Sequence, residues 1–548
     1  MIVAEAVGRA LFRAGAETVF GLVGSGNFHV TNALIGAGAR FVPARHEGGA
    51  ATMADAHARA GGGLGVLSVH QGPGLTNAMT GLAEAAKSRT PLLVLAAEAT
   101  SLLSNFWIDS AALAGAVGIV PMRIQAPGTA VADALGACTT AIRERRTVLL
   151  SLPLDVQAAQ YTGPAEAETR FPHHEPAPCE PSELAVSDLV AALEAARRPV
   201  FIAGRGARLR GAREPLRSLA QRCGALLATS AAARGLFIDD PCDLDVSGGF
   251  ATPLAAGLIR GADLIVGWGC ALNMWTLRHG SLVGEGAVVV QVDSDPVSLG
   301  AHQPINLGVH GDVSLTARAA LARLGDRSDG GYRSPELAVR LKHEGRWRDV
   351  PYREDREPSR IDPRTLSIAL NELIPRERTI AIDSGNFMGY PAMYLDVPDV
   401  EGMVFTQAFQ SVGLGLATAI GATVARPDRL TVAALGDGGA LMGIAELETA
   451  VRLGLGLLIV VYNDAAYGAE VHHFGPHGHP LGTVRFPDTD LAAIGRGFGC
   501  DAVTVRAPEE LTAVTTWLDG PRDHPMLVDA KITTGSPSWW LEEAFRGH

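Results

Sequence analysis

The chain has 548 residues, 47% hydrophobic and 19% charged, with a formal net charge of -12 and an isoelectric point near 5.7. That length predicts about three domains, and the composition is too apolar for a disordered chain. The acidic balance excludes a nucleic-acid-binding surface, which needs clustered positive potential, so Arg143, Arg145 and Arg146 read as a solvated helix face.

The six cysteines are scattered without a C-x-x-C pair, which argues against zinc or thioredoxin-like chemistry and fits a reducing cytoplasm, the expected location. Acidic Glu5 and Arg9 interrupt any apolar core of a signal peptide. No apolar run approaches the ~18 residues of a membrane span, so no membrane partner is expected.

Taken in order, the first segment alternates short β-like runs with Ala-rich helical stretches. The runs are Thr18–Leu22, Gly65–Val69, Leu92–Ala96 and Thr147–Leu152. Such alternation predicts a parallel sheet covered by helices on both faces. A stretch dense in Pro, Glu and His from Pro164 to Pro181 reads as a linker. A second α/β segment has strands at Pro199–Ala203, Ala225–Ala228, Asp263–Gly267 and Ala287–Val292, and a charged, Gly-containing stretch follows it. The third has strands at Thr379–Ile382, Thr431–Ala434, Leu457–Tyr462 and Met526–Asp529. The expected fold class is α/β, three doubly wound parallel-sheet domains at 1–163, 185–325 and 361–535, with a tail at 536–548 carrying Trp539 and Trp540. The first and third segments share size and alternation, which hints at duplication.

The strongest chemical signal is in the third segment. Gly436-Asp437-Gly438-Gly439 and Asn463-Asp464 each follow a β run, so both sit at C-terminal strand ends, where open α/β sheets bind ligands. The two aspartates are one strand–helix–strand unit apart and offer hard oxygen ligands suited to Mg²⁺. The glycines admit an anion close to the backbone, and a following helix N-terminus favours a diphosphate.

This pattern resembles the thiamine-diphosphate-binding motif of the thiamine-diphosphate-dependent enzymes. Arg45-His46-Glu47-Gly48-Gly49-Ala50-Ala51 resembles the family's glutamate motif, and Gln71-Gly72-Pro73-Gly74-Leu75-Thr76-Asn77 its next landmark. The similarity covers nearly the whole chain in the order pyrimidine-binding, central and diphosphate-binding domain, and is closest to the acetolactate synthase-like branch.

The resemblance implies that Asp437, Asp464 and the carbonyl of Ala466 hold Mg²⁺. Gly72, Asn77, Gly436, Gly438, Gly439, Tyr467 and Gly468 would line the cofactor. Many relatives have Asn at the place of Asp464; the change keeps an oxygen ligand. Asn386 and Phe387 stand where relatives have a Gln-His pair on the diphosphate, a departure that puts side-chain contacts there in doubt and leaves backbone contacts open. Glu47 would bond the pyrimidine ring, favour its imino tautomer and so promote loss of the C2 proton to give the ylid. Val412 matches the residue that bends the cofactor, and also fits an ordinary core valine.

Around the substrate, His70 and Gln71 end an apolar run and are candidates to face the reacting carbonyl, although a lone His also fits a structural role. Glu470 stands where acetolactate synthases have an apolar residue and pyruvate decarboxylase-like relatives a glutamate that handles protons; a solvated loop carboxylate is the alternative. The cluster His472, His473, His477 and His479 reads as a mobile loop over the pocket rather than a zinc site. In the central segment Gly204-Arg205-Gly206, with Arg208 and Arg278, leaves FAD or CoA/ADP unassigned.

The expected function is a thiamine-diphosphate- and Mg²⁺-dependent lyase or carboligase acting on a 2-oxo acid through an enamine. A 2-hydroxyacyl-CoA lyase yielding formyl-CoA is the rival, and an inactive cofactor-binding regulator is the alternative of another class. The resemblance implies a homodimer or homotetramer with sites between subunits.

Overall fold

Runs such as Gly65–Val69 and Leu264–Trp268 are buried at every position, which a strand with helices on both faces requires. In the computed structural model, which describes residues 1–61, 63–164, 178–208, 211–325 and 330–544, these runs form the interiors of three six-stranded sheets. Every pair of neighbouring strands is parallel.

The first sheet holds β1 (Thr18–Gly21), β2 (Arg40–Pro43), β3 (Gly65–Val69), β4 (Leu92–Glu98), β5 (Val120–Arg123) and β6 (Thr147–Pro153), in the order β2-β1-β3-β4-β6-β5. The second holds β7 (Pro199–Ala203), β8 (Leu226–Thr229), β9 (Asp243–Val246), β10 (Leu264–Trp268), β11 (Val288–Asp293) and β12 (Leu307–His310), in the order β12-β11-β10-β7-β8-β9. The third holds β13 (Arg378–Ile382), β14 (Met403–Phe405), β15 (Leu430–Gly436), β16 (Leu457–Asn463), β17 (Asp501–Val505) and β18 (Met526–Lys531), in the order β14-β13-β15-β16-β18-β17. The first and third sheets therefore share one strand order, and the central sheet follows the other common doubly wound order. The twelve strands expected from sequence are the four inner strands of each sheet.

The first and third sheets pack through the Glu47–Gly61 and Gly415–Ala425 helices. Met53 and Ala54 share one apolar core with Leu416 and Ile420. Each such large side chain contributes roughly 1.5–3 kcal/mol by burial. A Cβ on Gly421 would lie 2.2 Å from the carbonyl oxygen of Met53, so this approach demands glycine.

The central unit is fastened to both by arginines. Arg205 and Arg208 donate to the carbonyls of Lys87 (3.4 Å) and Arg59 (3.3 Å) near the ends of two helices of the first unit. Arg234 donates to the carbonyls of Ala392 and Leu395 in the third, at 2.8 and 3.0 Å.

Most of the expected linker falls in 165–177, outside the described residues, as does 545–548 of the tail. The stretch after the central unit is more ordered than its composition suggests: it carries a helix, Pro335–Glu344, and returns to the central unit through Arg346 and Asp243, 3.1 Å apart. Arg143 ends a helix and Arg145 lies beyond it at φ 50°, so the three arginines straddle a helix end rather than share one face. Among the described residues no helix is long and apolar enough to cross a membrane.

Candidate active site

Strand order places the third sheet's crevice between β13 and β15, where the chain reverses its direction of build. Asp437 opens the short helix after β15 and Asp464 directly follows the neighbouring strand β16, whose Tyr462 is in register with Gly436. Asp437 is buried, and burial raises its pKa. Asp464 is raised well above the usual carboxylate value by burial and then by Asp437. Two facing carboxyls that burial disfavours as anions suit a hard divalent cation. Among the described residues no hydrogen bond falls on the Ala466 carbonyl, which leaves a third oxygen free.

The other expected residues of this segment converge on the same point. A Cβ on Gly468 would lie 2.3 Å from Asp464 Oδ2, and one on Gly438 2.6 Å from Tyr467 Cε1. One on Gly439 would lie 2.3 Å from Asp383 Oδ2 and 3.3 Å from Val412 Cγ1. One on Gly436 would lie 3.0 Å from the Phe387 ring. The glycines thus leave a cradle that any side chain would fill, which fits a diphosphate against the backbone. Val412 is 38% exposed, so it is no core valine in this chain.

Phe387 is buried and stacks on Tyr462, with ring centroids 5.5 Å apart, so its side chain belongs to the core. Asn386 serves the tail: its Oδ1 accepts from Ser538 N and its carbonyl from Trp540 Nε1, each at 3.0 Å.

A second group gathers at the first sheet. Glu47 is half-buried at the start of its helix, and Asn77 Nδ2 donates to Glu47 Oε2 at 3.1 Å. Gly72 has φ 66°, and a Cβ there would lie 2.7 Å from the Phe106 carbonyl oxygen. His70 lies 3.3 Å from Ser25 Oγ and meets Phe106 edge to face. Gln71 is buried, and its Oε1 has no partner. That oxygen points at Gly26, where a Cβ would lie 1.7 Å from it. Among the described residues no hydrogen bond or ion pair joins Glu47 to Asp437, Asp464 or Val412.

Glu470 is half-buried on the Gly468–Phe474 helix, without a side-chain partner among the described residues. The histidine segment expected as a loop is helical through His472 and His473, and continues as a 3₁₀ turn to His477, whose Nδ1 lies 2.9 Å from the His473 carbonyl oxygen. Burial lowers the pKa of His472.

Three buried carboxylates at this site were not expected from sequence. Glu446, raised by burial, accepts from Arg45 N (3.1 Å) and His46 N (3.0 Å), just ahead of Glu47. Glu84 accepts from Ala408 N (3.1 Å) and Phe409 N (2.6 Å), just ahead of Val412. Asp383, pushed up to about 6 by burial, accepts from Gly413 N and Leu414 N at 3.0 and 3.3 Å. Their partners lie 30 to 401 residues away in the chain, beyond any local motif.

In the central unit, Gly204 N and Gly206 N are spent on the carbonyls of Trp268 and Gly269, at 2.9 Å each. A Cβ on Gly204 would lie 2.4 Å from Cys270 Cα. These glycines pack two strand-end loops together, and their N–H groups are not free for a phosphate. Arg278 is buried, donates to the carbonyls of Gly248 and Ala251, and lies over Trp539.

The chain matches three family models: the thiamine pyrophosphate enzyme N-terminal TPP binding domain over residues 1–114, the central domain over 186–320, and the C-terminal TPP binding domain over 383–530. It is 30% identical to the "Probable 2-ketoarginine decarboxylase AruI" of Pseudomonas aeruginosa, over 92% of this chain and 89% of that one. It is 27% identical to the acetolactate synthase large subunit of Parasynechococcus marenigrum, over 97% and 88%. It is also 27% identical to the sulfoacetaldehyde acetyltransferase of Rhodobacter capsulatus, over 93% and 90%.

Proposed function

Because the chain belongs to the thiamine pyrophosphate enzymes, in their acetolactate synthase-like group, we propose that it is a Mg²⁺-dependent 2-oxo acid decarboxylase or carboligase. The observation that carries this reading is the pair of buried Asp437 and half-buried Asp464, set together beside a glycine cradle. When bound, thiamine diphosphate supplies a carbon nucleophile and an electron sink next to the carbonyl.

The chain's own residues hold and steer. Asp437, Asp464 and the Ala466 carbonyl would hold Mg²⁺, and the backbone of Gly436, Gly438, Gly439 and Gly468, with Tyr467, Asn386 and Phe387 beside it, would take the diphosphate. Val412 stands beside that cradle, where it would bend the bound cofactor. Glu47, oriented by Asn77, would exchange a proton with the pyrimidine ring, and Gly72 would line the same part of the site. His70 and Gln71 orient the substrate carbonyl, by donation from an imidazole N–H and from the Gln71 amide Nε2. Glu470 delivers or removes a proton at the reacting carbon.

We place the three units at 1–163, 185–325 and 361–535, followed by the tail from 536. We also infer a homodimer or homotetramer with sites between subunits. What supports it is that Glu47 makes no bond to the aspartate pair, while Phe106 and Trp107 on one side and Val412 and Met442 on the other stand exposed. Sedimentation of an active chain as a monomer would overturn this arrangement.

Glu470 favours one rival: a 2-hydroxyacyl-CoA lyase must first take a proton from the substrate hydroxyl, a task for a nearby carboxylate. The presence of Glu47, Asp437 and Asp464 together weighs against an inactive regulator. The deciding experiment loads the enzyme with thiamine diphosphate and Mg²⁺ and offers a panel of 2-oxo acids and 2-hydroxyacyl-CoAs, with products identified by mass. Turnover of 2-oxo acids supports the reading; turnover of the thioesters alone replaces it with the rival.

A further inference from the structure

We propose that Glu84 and Asp383 are positioning residues that set Val412, and that Glu84 does so from the first sheet's unit across the boundary with the third. The inference rests on the thiamine diphosphate reading above.

The connection between β14 and the Gly415–Ala425 helix is gripped at both ends by a fully buried carboxylate. At the first end Glu84 accepts from Ala408 N and Phe409 N, and its other bonds come from Ser88 Oγ (3.1 Å) and Arg59 Nη1 (3.2 Å). Arg59 also donates to the Phe405 carbonyl and pairs with buried Asp55 at 3.0 Å. At the second end Asp383 accepts from Ser384 N, Gly413 N and Leu414 N. Only Gln410, Ser411 and Val412 lie between the two anchored ends, and Gln410 is held at φ 62°.

Burying a carboxylate is unfavourable unless its oxygens are met by donors. Bonds from N–H groups to an ionised acceptor are stronger and more directional than neutral ones. Both carboxylates here spend those bonds on irregular backbone, where no ladder would otherwise fix the chain. A carboxylate needed only to join the two units would be satisfied by Arg59 alone; two consecutive N–H groups of this connection make its shape the object. The shape matters because Val412 Cγ1 stands 3.3 Å from the place a Cβ on Gly439 would take, beside the cradle.

The test uses Glu84→Gln, which keeps size and one acceptor, and Asp383→Asn, which probes the other end should the first fold poorly. Amide hydrogen exchange of residues 405–414 in the full chain needs no cofactor, and either variant should speed it. Exchange as slow as wild type in both would overturn the clamp. With thiamine diphosphate and Mg²⁺ added, Glu84→Gln and Val412→Ala should each slow C2 proton exchange roughly 10- to 100-fold, with cofactor Kd held within about threefold. The double variant should be no slower than the slower single one, because Glu84 acts through Val412. Losses that multiply in the double variant, or a Kd that rises in step with the rate loss, would overturn the positioning role. A wild-type chain that binds no thiamine diphosphate would instead overturn the functional reading, and the cofactor-free exchange tells the two failures apart.

Discussion

Asp464 faces Asp437 across the ends of two neighbouring strands, and burial together with that second carboxyl holds its proton well beyond the usual carboxylate range. Two acids so placed repel each other as anions, and a divalent cation between them relieves the repulsion.

Asp437→Ala should therefore abolish Mg²⁺-dependent binding of thiamine diphosphate, as should a chelator added to the wild-type enzyme. Calorimetry reads both. Wild-type affinity in the variant would sink the metal assignment.

Glu47→Gln should keep the cofactor and lose most of the C2 proton exchange. The amide still bonds to the ring and to Asn77 but has no proton to exchange, and such acid–base roles contribute ~10²- to 10⁴-fold. Hydrogen–deuterium exchange at C2 by NMR decides it, and an unchanged rate removes Glu47 from the chemistry.

Glu470→Gln separates the two substrate readings. If the main reaction moves a proton at the reacting carbon, kcat should fall by ~10²-fold or more while cofactor binding holds. In a pure carboligase kcat should persist while the share of product released as aldehyde changes. A variant with both rate and product ratio unchanged leaves Glu470 as a solvated carboxylate on its helix.

Asp383 makes stability depend on pH. Its folded pKa of about 6 lies above the ordinary value, so the folded state holds the extra proton between about pH 4 and 6. Stability conferred through this group is present below that window and falls as pH rises through it, by at most about 3 kcal/mol. The Tm of wild type should drop relative to Asp383→Asn over that range. Parallel Tm curves would contradict it.

The inner strands were legible because a strand covered on both faces must be apolar at every position, as Leu264–Trp268 is. The six strands not read from sequence are the two edges of each sheet. Arg40–Pro43 and Val120–Arg123 are short and alternate with solvent, so neither an apolar run nor a clean period marks them. The aspartates and the glycine cradle were legible as candidates because each follows a β run within a single turn, and Glu47 only through the family resemblance of its motif. Glu84, Asp383 and Glu446 were not, because an acid in an Ala-rich helix or at a strand end looks the same whether it meets water or a backbone hundreds of residues away. Val412 illustrates the reverse: sequence left it between a cofactor-bending residue and a core valine, and its exposure removes the core reading.

The two glutamates that hold the stretches ahead of Glu47 and Val412 each belong to the opposite sheet's unit. Neither unit can therefore be shuffled between relatives alone. A chimaera that imports residues 1–163 from a chain lacking an acid at position 84 leaves Ala408 and Phe409 without their acceptor. One that imports the third unit without Glu446 does the same to Arg45 and His46. The two halves form a matched set in this chain, and substitutions at either glutamate should be tolerated only when the loop in the other half changes with it.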